Sequence, residues 1–138
     1  MTEICQFVDS IHKILNIEFG YTYSFVSDKH GYNYYSWYFD FDSVKSVCPS
    51  CLTITDKNGD CYDLSYTSVL YHFSPSGTHS LTSKHYNTKI KVKKLSKFKY
   101  ENLYKWAESQ KSIFNNYTQI LKMKNIEQRI KELNKDFK

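Results

Sequence analysis

Two runs of alternating residues constrain this chain more than any other feature. Ile17, Phe19, Tyr21, Tyr23 and Phe25 alternate with Glu18, Gly20, Thr22 and Ser24, and Tyr35, Trp37, Phe39 and Phe41 repeat the pattern. A period of two gathers side chains on one face of an extended strand, whereas on a helix the same residues would scatter around the axis. Between the runs stands Ser27-Asp28-Lys29-His30-Gly31, a cluster of turn formers. The pattern predicts an aromatic hairpin with one buried face, in which Phe19, Tyr21, Tyr23, Trp37 and Phe39 enter the core. Rings paired across neighbouring strands stabilise such a ribbon by about 0.2–1 kcal/mol each.

A second hairpin follows. Leu52-Thr53-Ile54-Thr55 and Tyr62-Asp63-Leu64-Ser65 flank Asn58-Gly59, a pair that accepts the backbone of a tight turn. A turn centred there sets Cys51 opposite Tyr66. Strand character continues through Val69, Leu70 and Phe73, until Ser74-Pro75-Ser76-Gly77 breaks it and opens a polar loop. Lys89-Ile90-Lys91-Val92-Lys93 alternates again and predicts a strand with three lysines on one face.

The two ends of the chain have helical period. Ile4, Phe7, Val8, Ile11, Ile14 and Leu15 form one stripe over residues 3–15, with His12 beside it. From about residue 96, Leu103, Trp106, Ala107, Ile113, Phe114, Tyr117, Ile120 and Leu121 form another, followed by Ile126, Ile130, Leu133 and Phe137. An unbroken helix over 98–137 would measure roughly 60 Å, against a radius of gyration of about 14 Å for a domain of this length. The helix is therefore predicted either to bend near Asn115-Asn116 or to place Ile126, Ile130, Leu133 and Phe137 against another copy as an oligomerisation seam.

The fold class expected from these patterns is α+β. An antiparallel, aromatic-rich sheet of about five or six strands, open or partly closed into a roll, carries a short N-terminal helix and a long C-terminal amphipathic one. Residues 1–121 form one domain, and 122–138 a helical extension. The run Phe39 to Val44, followed by a hairpin and a late helix, is similar in outline to pleckstrin-homology-like rolls, which implies partial closure of the sheet.

Charge is divided along the chain. Residues 1–82 carry 4 Lys against 9 Asp and Glu, a net of −5; residues 83–138 carry 14 Lys and Arg129 against 5 acids, a net of +10. Lys84, Lys89, Lys91, Lys93, Lys94, Lys97 and Lys99 crowd together, interleaved with His85, Tyr86, Phe98 and Tyr100. Lysines at strand spacing match the charge spacing of a nucleic acid strand, and rings beside them can stack on unpaired bases. Lys84, Lys89, Lys91, Lys93, Lys97, Lys99, Tyr86 and Tyr100 are the candidate binding residues. With Arg129 the only arginine, bidentate reading of guanine is excluded as a principal mode. Lysines also guard edge strands against aggregation, and the same residues suit that role.

The remaining chemistry is sparse. Cys48-Pro49-Ser50-Cys51 has the spacing of half a zinc site, but Cys61 lies too far along the hairpin to join it, leaving only His72, His79 or His85. Reduced thiols with neither zinc nor disulfide are expected. Asp56-Lys57-Asn58-Gly59-Asp60 begins like a calcium loop but lacks the later glycine and glutamate. No cofactor is expected. There is no glycine-rich phosphate loop and no nucleophile elbow, and His72, His79, His85, Ser80, Asp40, Asp42 and Asp63 are the sole candidates for a hydrolytic site.

Function is therefore expected to be binding rather than catalysis, in the cytoplasm and away from membranes, since no signal peptide or spanning segment is visible. Lysine- and tyrosine-rich chains of this size are frequent among phage and mobile-element accessory proteins. The first expectation is accordingly a protein that inhibits a host-defence complex by protein–protein contact. Sequence-independent nucleic-acid binding through residues 84–99 is the second, and a small hydrolase or nuclease the third.

Overall fold

The computed structural model describes residues 3–39, 49–56 and 61–136. Phe41, Asp40, Asp42, Cys48, the Asn58-Gly59 turn and Phe137 lie outside the described residues. The described elements are helix α1 (Glu3–His12), a π-helical turn (Lys13–Glu18), and strands β1 (Thr22–Ser27), β2 (Asn33–Phe39), β3 (Ser50–Asp56), β4 (Cys61–Phe73) and β5 (His79–Lys91). A 3₁₀ segment (Val92–Lys97) and helix α2 (Tyr100–Asp136) follow. The five strands form one antiparallel sheet in the order β1-β2-β3-β4-β5. The sheet is open, the first of the two forms the sequence allowed, with β1 and β5 at its edges. No described helix is long and apolar enough to cross a membrane.

The register aligns side chains into rows across the sheet. Tyr23, Trp37, Leu52, Tyr66 and Tyr86 stand opposite one another on successive strands. Beside them run Phe25, Tyr35, Ile54, Leu64 and Thr88. This face packs against α1 and the first half of α2, through Phe7, Ile11, Leu15, Leu95, Leu103 and Ala107. The other face carries Ser24, Ser36, Thr53, Ser65 and Asn87 in a row, with the Ser36 and Thr53 hydroxyls 3.1 Å apart. One apolar face and one hydroxyl face are what the period of two in the sequence demands.

Tyr21 and Trp37 are fully buried, while Phe19, Tyr23 and Phe39 are half-buried against the same core. Trp37 Nε1 donates to His12 Nδ1 at 3.0 Å, which places the imidazole proton on Nε2 and ties α1 to the centre of the sheet. Tyr21 shares a buried hydrogen bond with Ser50 (2.9 Å), and burial pushes its phenol up to about 12.

Three local expectations are corrected. Ile17 and Glu18 belong to the π-helical turn rather than to a strand, and Ile17 is exposed. Phe19, Gly20 and Tyr21 donate their N–H groups back into that turn, and Gly20 leaves it at φ 73°, which glycine adopts without steric cost. Cys51 pairs with Thr67, not Tyr66, a shift of one residue along the whole β3–β4 ladder. After a tight turn at Ser74–Gly77, with its Ser74 N–H to Thr78 carbonyl bond, the chain is not a polar loop but the long strand β5. An exposed edge strand needs no apolar alternation, so Thr, Ser, His and Asn there left no strand signal. Of the two forms the sequence allowed for the C-terminal helix, the unbroken one occurs: α2 runs through Asn115-Asn116 for 37 residues, about 55 Å.

One side chain resolves a backbone problem. β3 pairs with β4 only as far as Cys51 and Thr67, which leaves the next outward-facing peptide groups of β4 without a strand neighbour. Gln110 of α2, itself buried, fills the place: its Oε1 accepts from Val69 N–H at 2.8 Å and its Nε2 donates to Val69 O at 3.1 Å. Gln110→Leu should cost about 2–4 kcal/mol, because two buried backbone groups lose their partners. Chemical denaturation checks this, and a loss under about 1 kcal/mol would show that water replaces the amide.

Candidate functional site

The aromatic row of the core does not end under the helices. At its β5 end it opens into a groove of about 730 Å³ between the sheet, the 3₁₀ segment and the start of α2. Tyr66, Tyr86, Phe98 and Trp106 supply rings to its lining, with Lys94, Lys97 and Lys99 beside them, while Lys89 and Lys91 border it from β5, where strand alternation sets them on the face of Asn87 rather than that of Tyr86. Among the described residues, no aspartate or glutamate lines it. The groove exists because α2 packs along β4, through Trp106 on Ser68 and Gln110 on Val69, and leaves the neighbouring edge strand β5 uncovered where the 3₁₀ segment leads into the helix.

The rings are held in different ways. Trp106 packs edge-on to Tyr66, with centroids 5.2 Å apart, and its Nε1 donates to Ser68 Oγ at 2.8 Å. Its plane is thus fixed from two sides. Burial pushes the Tyr66 phenol up to about 12, so it stays neutral and acts as a hydrogen-bonding ring rather than an anion. Tyr86 is 45% exposed, with the Lys84 ammonium 5.1 Å from its ring centroid. That cation–π contact adds positive charge at the mouth without hiding the ring edge.

Of the residues singled out in the sequence, Lys89, Lys91, Lys97, Lys99 and Tyr86 line this groove, and Lys84 joins them through Tyr86. Lys93 and Tyr100 do not: they line a separate cleft beside Gln6, Phe7 and Ser10 of α1. The expected ridge of Lys89, Lys91 and Lys93 on one strand is therefore corrected. β5 stops at Lys91, and the tighter 3₁₀ winding turns Lys93 away while bringing Lys94 and Lys97 to the groove. Tyr66 and Trp106 are the contributors that the sequence did not single out for binding. Both read as ordinary core positions, and only the strand register places them at the uncovered end of the row.

The histidines do not assemble. His72 hydrogen-bonds Thr82, His79 hydrogen-bonds Tyr71, and His85 hydrogen-bonds Thr67. Strand alternation sets His72 on the opposite face from His79 and His85, and the last two stand six residues apart on β5, about 20 Å. Among the described residues, no group of three or more His, Cys, Asp and Glu side chains is placed to hold a metal ion. Cys51 and Cys61 are free thiols, and burial pushes the Cys51 thiol up, away from reactivity.

Comparison with protein-family models, curated proteins and solved structures returns no match.

Proposed function

We propose that this chain is a non-enzymatic binding protein that takes single-stranded nucleic acid along the β5–α2 groove without reading its sequence. The observation that carries this reading is one concave surface combining four aromatic rings with Lys94, Lys97 and Lys99, bordered by Lys89 and Lys91 of the edge strand, and with no carboxylate in its lining among the described residues. Lysines neutralise phosphates and release counterions, while exposed ring faces stack on unpaired bases of any identity. Edge protection accounts for Lys84, Lys89 and Lys91, which sit on the outer strand. It does not account for Lys94, Lys97 and Lys99, which lie on the 3₁₀ segment and the approach to α2 and still face the same groove. This geometry moves the preference from a host-defence protein partner, expected from composition, to nucleic acid. A protein contact keeps one surface in its favour, the exposed far half of α2.

The test is fluorescence anisotropy with a labelled oligothymidine, titrated at several salt concentrations. Phosphate contacts from Lys84, Lys94, Lys97 and Lys99 on a single strand give a log–log salt slope of about −3. Tyr86→Ala, which removes an exposed ring and leaves the core intact, should weaken binding about ten-fold. A duplex of the same length should bind less tightly, since its bases are already stacked. Absence of binding at low salt, or a flat salt dependence, would rule the reading out.

A further inference from the structure

The far half of α2 carries an apolar stripe on the wrong side to be covered by its own chain. Met123, Ile126, Ile130 and Leu133 are each more than half exposed, at 61%, 56%, 51% and 57%, and every residue from Lys122 to Lys135 is exposed. At about 100° per residue, their mean direction lies about 160° around the axis from Leu103, Ala107 and Gln110, which face the sheet. Closer to the sheet, that same outer face holds Lys105, Glu108, Ser112 and Gln119. The apolar stripe begins only where the helix leaves the sheet, so it is not an overhang of the core face.

The spacing from Met123 to Leu133 is 3, 4, 3, which is that of alternating a and d positions in a coiled coil. Assigning Met123 and Ile130 to a, and Ile126 and Leu133 to d, puts Lys122 and Arg129 at g and Glu127 at e. In a parallel pair each g residue meets the e′ residue five positions on, so Lys122 of each copy meets Glu127 of the other. In an antiparallel pair g meets g′ and e meets e′. Lys122 and Arg129 would then face one another across one flank and the two Glu127 side chains across the other. Because the stripe points away from the sheet, a parallel two-fold also leaves both sheets on the outside, at the same end, without overlap.

We infer that residues 122–135 form a parallel two-stranded coiled coil with a second copy of this chain. The seam is shorter than the three or four heptads of an autonomous coiled coil. The dimer is accordingly reversible and builds up across the micromolar range. It is independent of whether the groove binds nucleic acid.

Sedimentation of the full chain, from low-micromolar to sub-millimolar concentration, tests it. The expected result is a monomer–dimer equilibrium that Ile126→Asp combined with Ile130→Asp abolishes while far-UV circular dichroism stays that of a folded sheet. Lys122→Glu should weaken the dimer about five-fold, and adding Glu127→Lys should restore it. A monomer throughout, a trimer, or a dimer indifferent to the Ile126 and Ile130 changes would overturn the inference. So would tightening by Lys122→Glu, which is the signature of the antiparallel arrangement.

Discussion

Replacing Trp37 with alanine is expected to destabilise the protein by about 3–5 kcal/mol. Trp37 is fully buried on β2, second in the row that crosses all five strands. Its ring packs against Tyr23, with centroids 5.1 Å apart, and its Nε1 holds His12 of α1. The substitution therefore opens a cavity between helix and sheet and leaves the His12 nitrogen without its donor. Total stability of a domain is typically about 5–15 kcal/mol, so the variant should lose a large share of it. Urea denaturation followed by circular dichroism measures the change. A loss below about 1 kcal/mol would mean that α1 repacks onto the sheet without the ring. Trp37→Phe should recover most of the packing but not the bond to His12, separating the two contributions.

The second large effect concerns charge in the groove. Lys94→Glu, Lys97→Glu and Lys99→Glu together should reduce affinity for an oligothymidine at least a hundred-fold at low salt and flatten the salt slope by about two units. All three line the groove without entering the core, so the melting temperature should change little. Lys93→Glu is the internal control, because Lys93 lies in the cleft beside α1 and should alter binding only slightly. Equal losses from Lys93→Glu and from a single groove reversal would mean that net charge, not the groove, carries the binding.

The two proposed surfaces sit at opposite ends of α2. Its first half closes the core and forms a wall of the groove; its second half leaves the sheet and turns a different face apolar. No single stripe runs the length of the helix, which is why the periodicity read in the sequence splits into two sets. A charge-reversed groove should leave the dimer intact, and a monomeric variant should still bind one strand per chain.

The sequence by itself determined the α+β class, the antiparallel hairpins and the aromatic face, because a period of two admits no other packing for Tyr21, Tyr23, Trp37, Leu52 and Ile54. It also located the lysine cluster and the late seam, since both are contiguous in the chain. Only the tertiary structure decided which end of the aromatic row lies uncovered, because that depends on α2 packing along β4 and leaving the β5 edge beside it open. It likewise decided that Tyr66 and Trp106 line one groove with Lys94 and Lys97, elements whose separation in sequence no local pattern encodes. The first part of β5 was illegible because periodicity records the burial of one face and that strand is largely exposed, so its backbone geometry is maintained by hydrogen bonds that leave no mark on side-chain identity.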